Sequence, residues 1–119
     1  MKPAPHTLLR FYFGEMKLGP GKVQLLELIR DTGSISAAGR AMEMSYKRAW
    51  MLVEEMNAAF TAPLVSSARG GAKGGGAHVT DTGLAVIAAY RAAEIASAQA
   101  TAPHIAALQD LLSDIPEQK

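Results

Sequence analysis

At 119 residues, with 49% hydrophobic and 19% charged side chains, the chain has the balance of one folded domain with a modest core, which excludes a disordered tract. It has no cysteine, so disulfides and thiolate metal sites are excluded, and no apolar run approaches the ~18 residues needed to span a bilayer. The formal net charge is only +1, yet residues 1–80 carry ten basic and six acidic side chains while residues 81–119 carry two and five, so positive charge precedes an acidic tail.

The N-terminus lacks a signal h-region with a small-residue cleavage site, and a cytoplasmic protein is expected. Leu8 to Phe13 is rich in aromatic and aliphatic residues and ends at Gly14, which predicts a short strand. Gly19-Pro20-Gly21 reads as a breaker. From Lys22 to Arg30, Val23, Leu26 and Ile29 fall at helical spacing, and Gly33 is placed to end the helix. A short second helix follows, with Ser34 or Ser36 as N-cap, and its Ala37, Ala38, Gly39 and Ala41 are small enough for close helix crossing.

Met44 closes a turn and Ser45 is the next N-cap candidate. Ala49, Leu52, Val53, Met56 and Phe60 then share one helical stripe, which predicts an inward face with Tyr46 and Trp50 beside it. Pro63 ends that pattern. Leu64–Ala68 and Ala77–Thr80 read as two strands joined by the glycine-dense Arg69–Gly76, a hairpin with a basic tip. Thr80 caps an alanine-dominated helix from about Asp81, whose carboxylate sits at the positive end of the dipole. Pro103 is expected to break or sharply kink it, with a further helix from roughly His104 to Ser113 burying Ile105, Leu108, Leu111 and Leu112.

Two helices joined by a tight turn, with basic residues opening the second, form a helix-turn-helix, and the hairpin that follows supplies a wing. The expected fold is mainly α with a small β-hairpin. It is one winged helix-turn-helix domain over residues 1–119, with a core at about 8–80 and C-terminal dimerisation helices at about 81–113. In that frame Lys47 and Arg48 reach bases and phosphates, and Ser36, Arg40, Ser45 and Tyr46 stand beside them.

Each assignment has a plain alternative. A basic pair is usually a solvated helix face; Tyr46 is either core or a phosphate contact, and Trp50 reads as core. The glycine loop lacks the Gly-x-x-x-x-Gly-Lys-Ser/Thr spacing of a nucleotide-binding loop and joins two strands. As a wing it lets Arg69 and Lys73 approach the DNA backbone or minor groove; otherwise it is a flexible tip. Glu54 and Glu55 point about 100° apart on a helix and do not form an acid/base pair. His6, His78 and His104 lack metal-ligand spacing, so no metal is expected; nothing resembles a nucleophile with its base, so no catalysis is expected, and no cofactor.

The run Gly33-Ser-Ile-Ser36, Met44-Ser-Tyr-Lys-Arg-Ala-Trp50, Glu55-Met-Asn57, and the glycines 70–71 and 74–76 with Ala77 and Thr80 resemble the N-terminal DNA-binding domain of the ModE molybdate-responsive regulators. The resemblance runs from about Leu8 to Tyr90, and a weaker one to LysR-type regulators covers Gly33 to Ser45. It implies a homodimeric winged-helix transcription factor that binds double-stranded DNA, joined through its N-terminal strand and C-terminal helix. ModE regulators sense molybdate in a separate Mop-type domain; no counterpart is expected within these 119 residues, so the effector is not carried over. The alternative readings are a winged-helix module for protein partners and an oxyanion-binding protein without DNA specificity.

Overall fold

The computed structural model describes residues 4–68 and 76–113. The element order is β1 (Phe11–Phe13), β2 (Met16–Leu18), α1 (Pro20–Thr32), α2 (Ile35–Ala41), α3 (Tyr46–Ala59), β3 (Val65–Ala68), β4 (Gly76–Val79) and α4 (Asp81–Leu111). The protein is mainly helical, with two small antiparallel sheets, β1–β2 and β3–β4.

The predicted strand at Leu8–Phe13 is a hairpin arm. β1 pairs with β2 in the register Phe11↔Leu18, Tyr12↔Lys17, Phe13↔Met16, and Gly14 turns the chain at φ 64°, a left-handed conformation glycine adopts without Cβ strain. The sequence carries no signal for the partner strand, because three residues alternating buried, exposed, buried are too short a periodic pattern. Gly19 separates β2 from the helix as expected, but α1 starts at Pro20 and not at Lys22: proline's fixed φ suits the first helical position, and its missing N–H would have had no partner anyway.

The core is built on α1. Val23, Leu25, Leu26 and Ile29 are fully buried, each worth about 1.5–3 kcal/mol of apolar transfer. Around them pack Ile35 and Ala38 of α2, Ala49, Val53 and Met56 of α3, and Leu64, Val65 and Val79 beside or within the second hairpin. Gly33 ends α1 at φ 71°, donating its N–H to the Ile29 carbonyl, and its own carbonyl accepts the Ala77 N–H at 3.0 Å, which ties β4 to the α1–α2 corner.

The first three turns of α4 close the core through Gly83, Ile87 and Tyr90. Thr80 caps the helix: its hydroxyl oxygen accepts the Gly83 N–H and its proton goes to the Pro63 carbonyl at 2.7 Å. A Cβ on Gly83 would stand 2.3 Å from the Leu64 carbonyl oxygen, so only glycine lets α4 enter this close to the chain before β3. Tyr90 donates to the Leu9 carbonyl at 2.6 Å, and burial pushes its phenol pKa up. Arg91 grips Glu27 of α1 through two bonds, 2.7 and 3.0 Å, and also holds Glu94.

Two expectations for the C-terminal region are corrected. Pro103 does not break the helix, which runs unbroken to Leu111. Proline removes the N–H that would bond to the Gln99 carbonyl, but Gln99 is exposed, so water is available to that group, and the neighbouring alanines at 100 and 102 favour the helix. Nor are Leu108, Leu111 and Leu112 buried: they are 62%, 82% and 44% exposed, and Ile105 is only half-buried. A 31-residue helix is about 46 Å long at 1.5 Å per residue, and the core reaches only its first part.

Candidate nucleic-acid interface

Helices α2 and α3 are joined by the turn Met42-Glu43-Met44, in which the Met44 N–H bonds to the Gly39 carbonyl at 2.9 Å and Glu43 takes φ 59°. Gly39 lets the two helices cross closely: a Cβ there would lie 3.0 Å from the Ala49 Cβ. Both helices start on a serine. Ser34, and not Ser36, caps α2 by accepting the Ala37 N–H; Ser45 caps α3 by accepting the Arg48 N–H at 3.1 Å.

The inward stripe of α3 is as expected, with Ala49, Val53 and Met56 buried and Leu52 and Phe60 half-buried. At about 100° per residue, the direction opposite this stripe is taken by Lys47, Met51 and Glu54, all exposed. Tyr46 and Arg48 then fall on the two flanks of the helix. Neither Lys47 nor Arg48 has a carboxylate partner among the described residues.

The Tyr46 flank opens on a recess of about 290 Å³ lined by Ser34, Ile35, Ser36, Tyr46, Ser67, Gly76 and Ala77. It brings the start of α2, the start of α3 and the base of the second hairpin together. Ser36 also accepts a hydrogen bond from Arg40 Nη1 at 2.7 Å, so these two predicted residues are joined on the exposed side of α2. Arg69 and Lys73 lie outside the described residues.

Trp50 corrects the sequence reading. It is 45% exposed, not core, because it lies one residue from Ala49 and so a quarter-turn off the buried stripe, one turn above Tyr46. Judging it by residue type hid what its spacing indicates. The Arg48 flank holds a second surprise: it opens on a cleft of about 590 Å³ shared with the β1–β2 hairpin, lined in part by Arg10, Lys17 and Lys22. Those residues lie far from Arg48 in sequence, and no local pattern marks them.

Among the described residues, no three His, Asp or Glu side chains gather to hold a metal, and no helix is long and apolar enough to cross a membrane. No family model matches the chain. Individual proteins do. Over 78 residues, 66% of this chain, it is 50% identical to the molybdenum-pterin-binding protein MopB of Rhodobacter capsulatus and 42% identical to the molybdenum transport protein ModE of Azotobacter vinelandii. Over 71 residues it is 41% identical to the DNA-binding transcriptional dual regulator ModE of Escherichia coli. The chain is similar to the ModE and Mop proteins. The matched part spans 29% of the first two relatives and 27% of the third, less than a third of their length. The resemblance to the ModE regulators, read from about Leu8 to Tyr90, is thus borne out at the level of named relatives, which are transcriptional regulators, molybdenum transport proteins and molybdenum-pterin-binding proteins.

Proposed function

We propose that this chain is the winged helix-turn-helix, DNA-binding unit of a transcriptional regulator that acts as a homodimer on genes of molybdenum handling. The observation that carries the reading is the amino end of α3, where Lys47 and Arg48 stand exposed and without carboxylate partners on a helix fixed by the Ser45 cap and the Gly39–Ala49 crossing. A cationic first turn held off the core on a rigid helix suits insertion into the major groove, about 12 Å wide. Lys47, on the outermost line, reads base edges. Arg48, Tyr46, Ser45, Ser36 and Arg40 contact the flanking phosphates, and Arg69 and Lys73 extend the backbone contact from the wing. The names of the ModE relatives support a transcriptional role, and the molybdenum link rests on those names alone.

Homodimerisation is supported by the apolar surface a single chain leaves open: Ile95, Leu108 and Leu111 on α4, and a groove of about 340 Å³ between β1 and α4 lined by Phe11, Phe13, Phe60 and Val86 among others. Two-fold symmetry then calls for a roughly palindromic operator with half-sites separated by about 34 Å or a multiple of it. Titration of the protein onto duplex fragments flanking its own gene, at several salt concentrations, tests the reading. Strong preference for one fragment, lost in Lys47→Ala by about 1–3 kcal/mol with relaxed choice at one base pair, is the expected result. Equal affinity for all fragments, unchanged by Lys47→Ala, overturns it.

A further inference from the structure

We infer that the β1–β2 hairpin is a second phosphate clamp, gripping the DNA strand on the side of α3 away from the wing, with Arg10 and Lys17 as the contacting residues. The inference rests on the proposed insertion of α3 into the major groove and adds residues that neither the helix-turn-helix pattern nor the wing includes.

A helix lying in the major groove has a phosphate backbone on each side of it. On one flank of α3, Tyr46 opens on the polar recess at the base of the β3–β4 hairpin. On the other, Arg48 opens on the larger cleft, whose far wall is the β1–β2 hairpin and whose charged lining is Arg10, Lys17, Lys22, Arg48, Glu15 and Glu55. The charges are not equivalent. Lys22 is spent: its ammonium bonds to Glu55 at 2.8 Å and to the Lys17 carbonyl at 2.7 Å, which also neutralises Glu55. Arg10, Lys17 and Arg48 have no carboxylate partner among the described residues and face only Glu15, so the cleft keeps a net charge of +2.

The local fold places these cations along one wall of the cleft. Arg10 lies along Gly19, where an added Cβ would stand 3.3 Å from its Nε, so glycine leaves room for the side chain beside the start of α1. Lys17 pairs with Tyr12 across the hairpin, and its ammonium lies 6.0 Å from that ring's centroid, which keeps the side chain on the exposed face. Arg10 just before β1 and Lys17 on β2, without carboxylate partners among the described residues and sharing a polar cleft with Arg48 of the first turn of α3, match a sugar-phosphate strand in charge. They carry no base-reading geometry of their own.

The test is the double variant Arg10→Gln/Lys17→Gln in the full chain, compared with Lys47→Ala and with the charge-preserving Arg10→Lys/Lys17→Arg. Each phosphate contact contributes about 0.9 to the slope of log affinity against log salt, so the glutamine variant should lower the slope by about 1.8. At 0.15 M salt that is about a 30-fold loss, equal for the preferred fragment and for unrelated duplex, and the charge-preserving variant should restore both affinity and slope. An unchanged slope, or a loss confined to one sequence, overturns the clamp. If Lys47→Ala relaxes specificity while the glutamine variant binds like the parent, the clamp fails and the α3 reading survives. If the parent shows no salt-dependent duplex binding at all, both fall.

Discussion

Asn57 sits near the end of α3, half-buried, and acts as a third strand for β3. Its Oδ1 accepts the N–H groups of Leu64 (2.8 Å) and Val65 (3.1 Å), and its Nδ2 donates to the Val65 carbonyl (3.1 Å). Leu64 and Val65 are 0% and 4% exposed, so water has little access to these backbone groups once the amide is gone. Replacing Asn57 by alanine removes three hydrogen bonds at roughly 1 kcal/mol net each, about 3 kcal/mol together. For a domain of this size that lowers the melting temperature by about 12 °C. Urea denaturation followed by circular dichroism measures the first quantity and a thermal scan the second. A melting temperature for Asn57→Ala within about 3 °C of the parent, a loss under roughly 1 kcal/mol, would refute the claim that this side chain anchors the second hairpin.

Gly83→Ala should destabilise by about 1–3 kcal/mol or more, since the new methyl meets the Leu64 carbonyl and a Val79 methyl; a neutral result in the same urea assay would show that α4 can lift off without cost. The Arg91 guanidinium, through its hydrogen bonds, holds the Glu27 carboxyl below its ordinary value of 4.5. Because the folded pKa is the lower one, the pair's stabilisation is present above pH 4.5 and is lost as the pH falls through the folded value; Glu27→Gln should flatten that acid limb of the stability profile, and an unchanged limb contradicts the assignment. Leu108→Lys/Leu111→Lys should leave the monomer fold intact while shifting light scattering from dimer to monomer at micromolar concentration, and a parent that is itself monomeric removes the homodimer from the proposal. Ser45→Ala removes the α3 cap and should cost about 1 kcal/mol by urea denaturation, with weaker duplex binding because the basic first turn frays.

What the sequence determined by itself is what short-range physics decides. The serines at 34 and 45 and the threonine at 80 announce helix starts because a side-chain oxygen finds an N–H two or three residues ahead, and the stripe Ala49, Val53, Met56 announces which way α3 faces. The same local logic singled out Lys47 and Arg48, since their exposure follows from helical angle alone. Residue type is a poorer guide than angle: Trp50 is a large apolar side chain, yet it stands 45% exposed off the buried stripe. Tertiary structure decided everything that depends on residues distant in the chain. β2 exists because Met16 and Leu18 find the core beside β1, which three residues of alternation cannot announce. Pro103 is tolerated because its surroundings are exposed, and the apolar end of α4 stays open because the core is shorter than the helix. Asn57 reaches Leu64 and Val65 seven and eight residues on, and Arg10 and Lys17 line one cleft with Arg48 only because β2 packs against α3. Periodicity encodes which face of an element is buried; the fold decides which faces then meet.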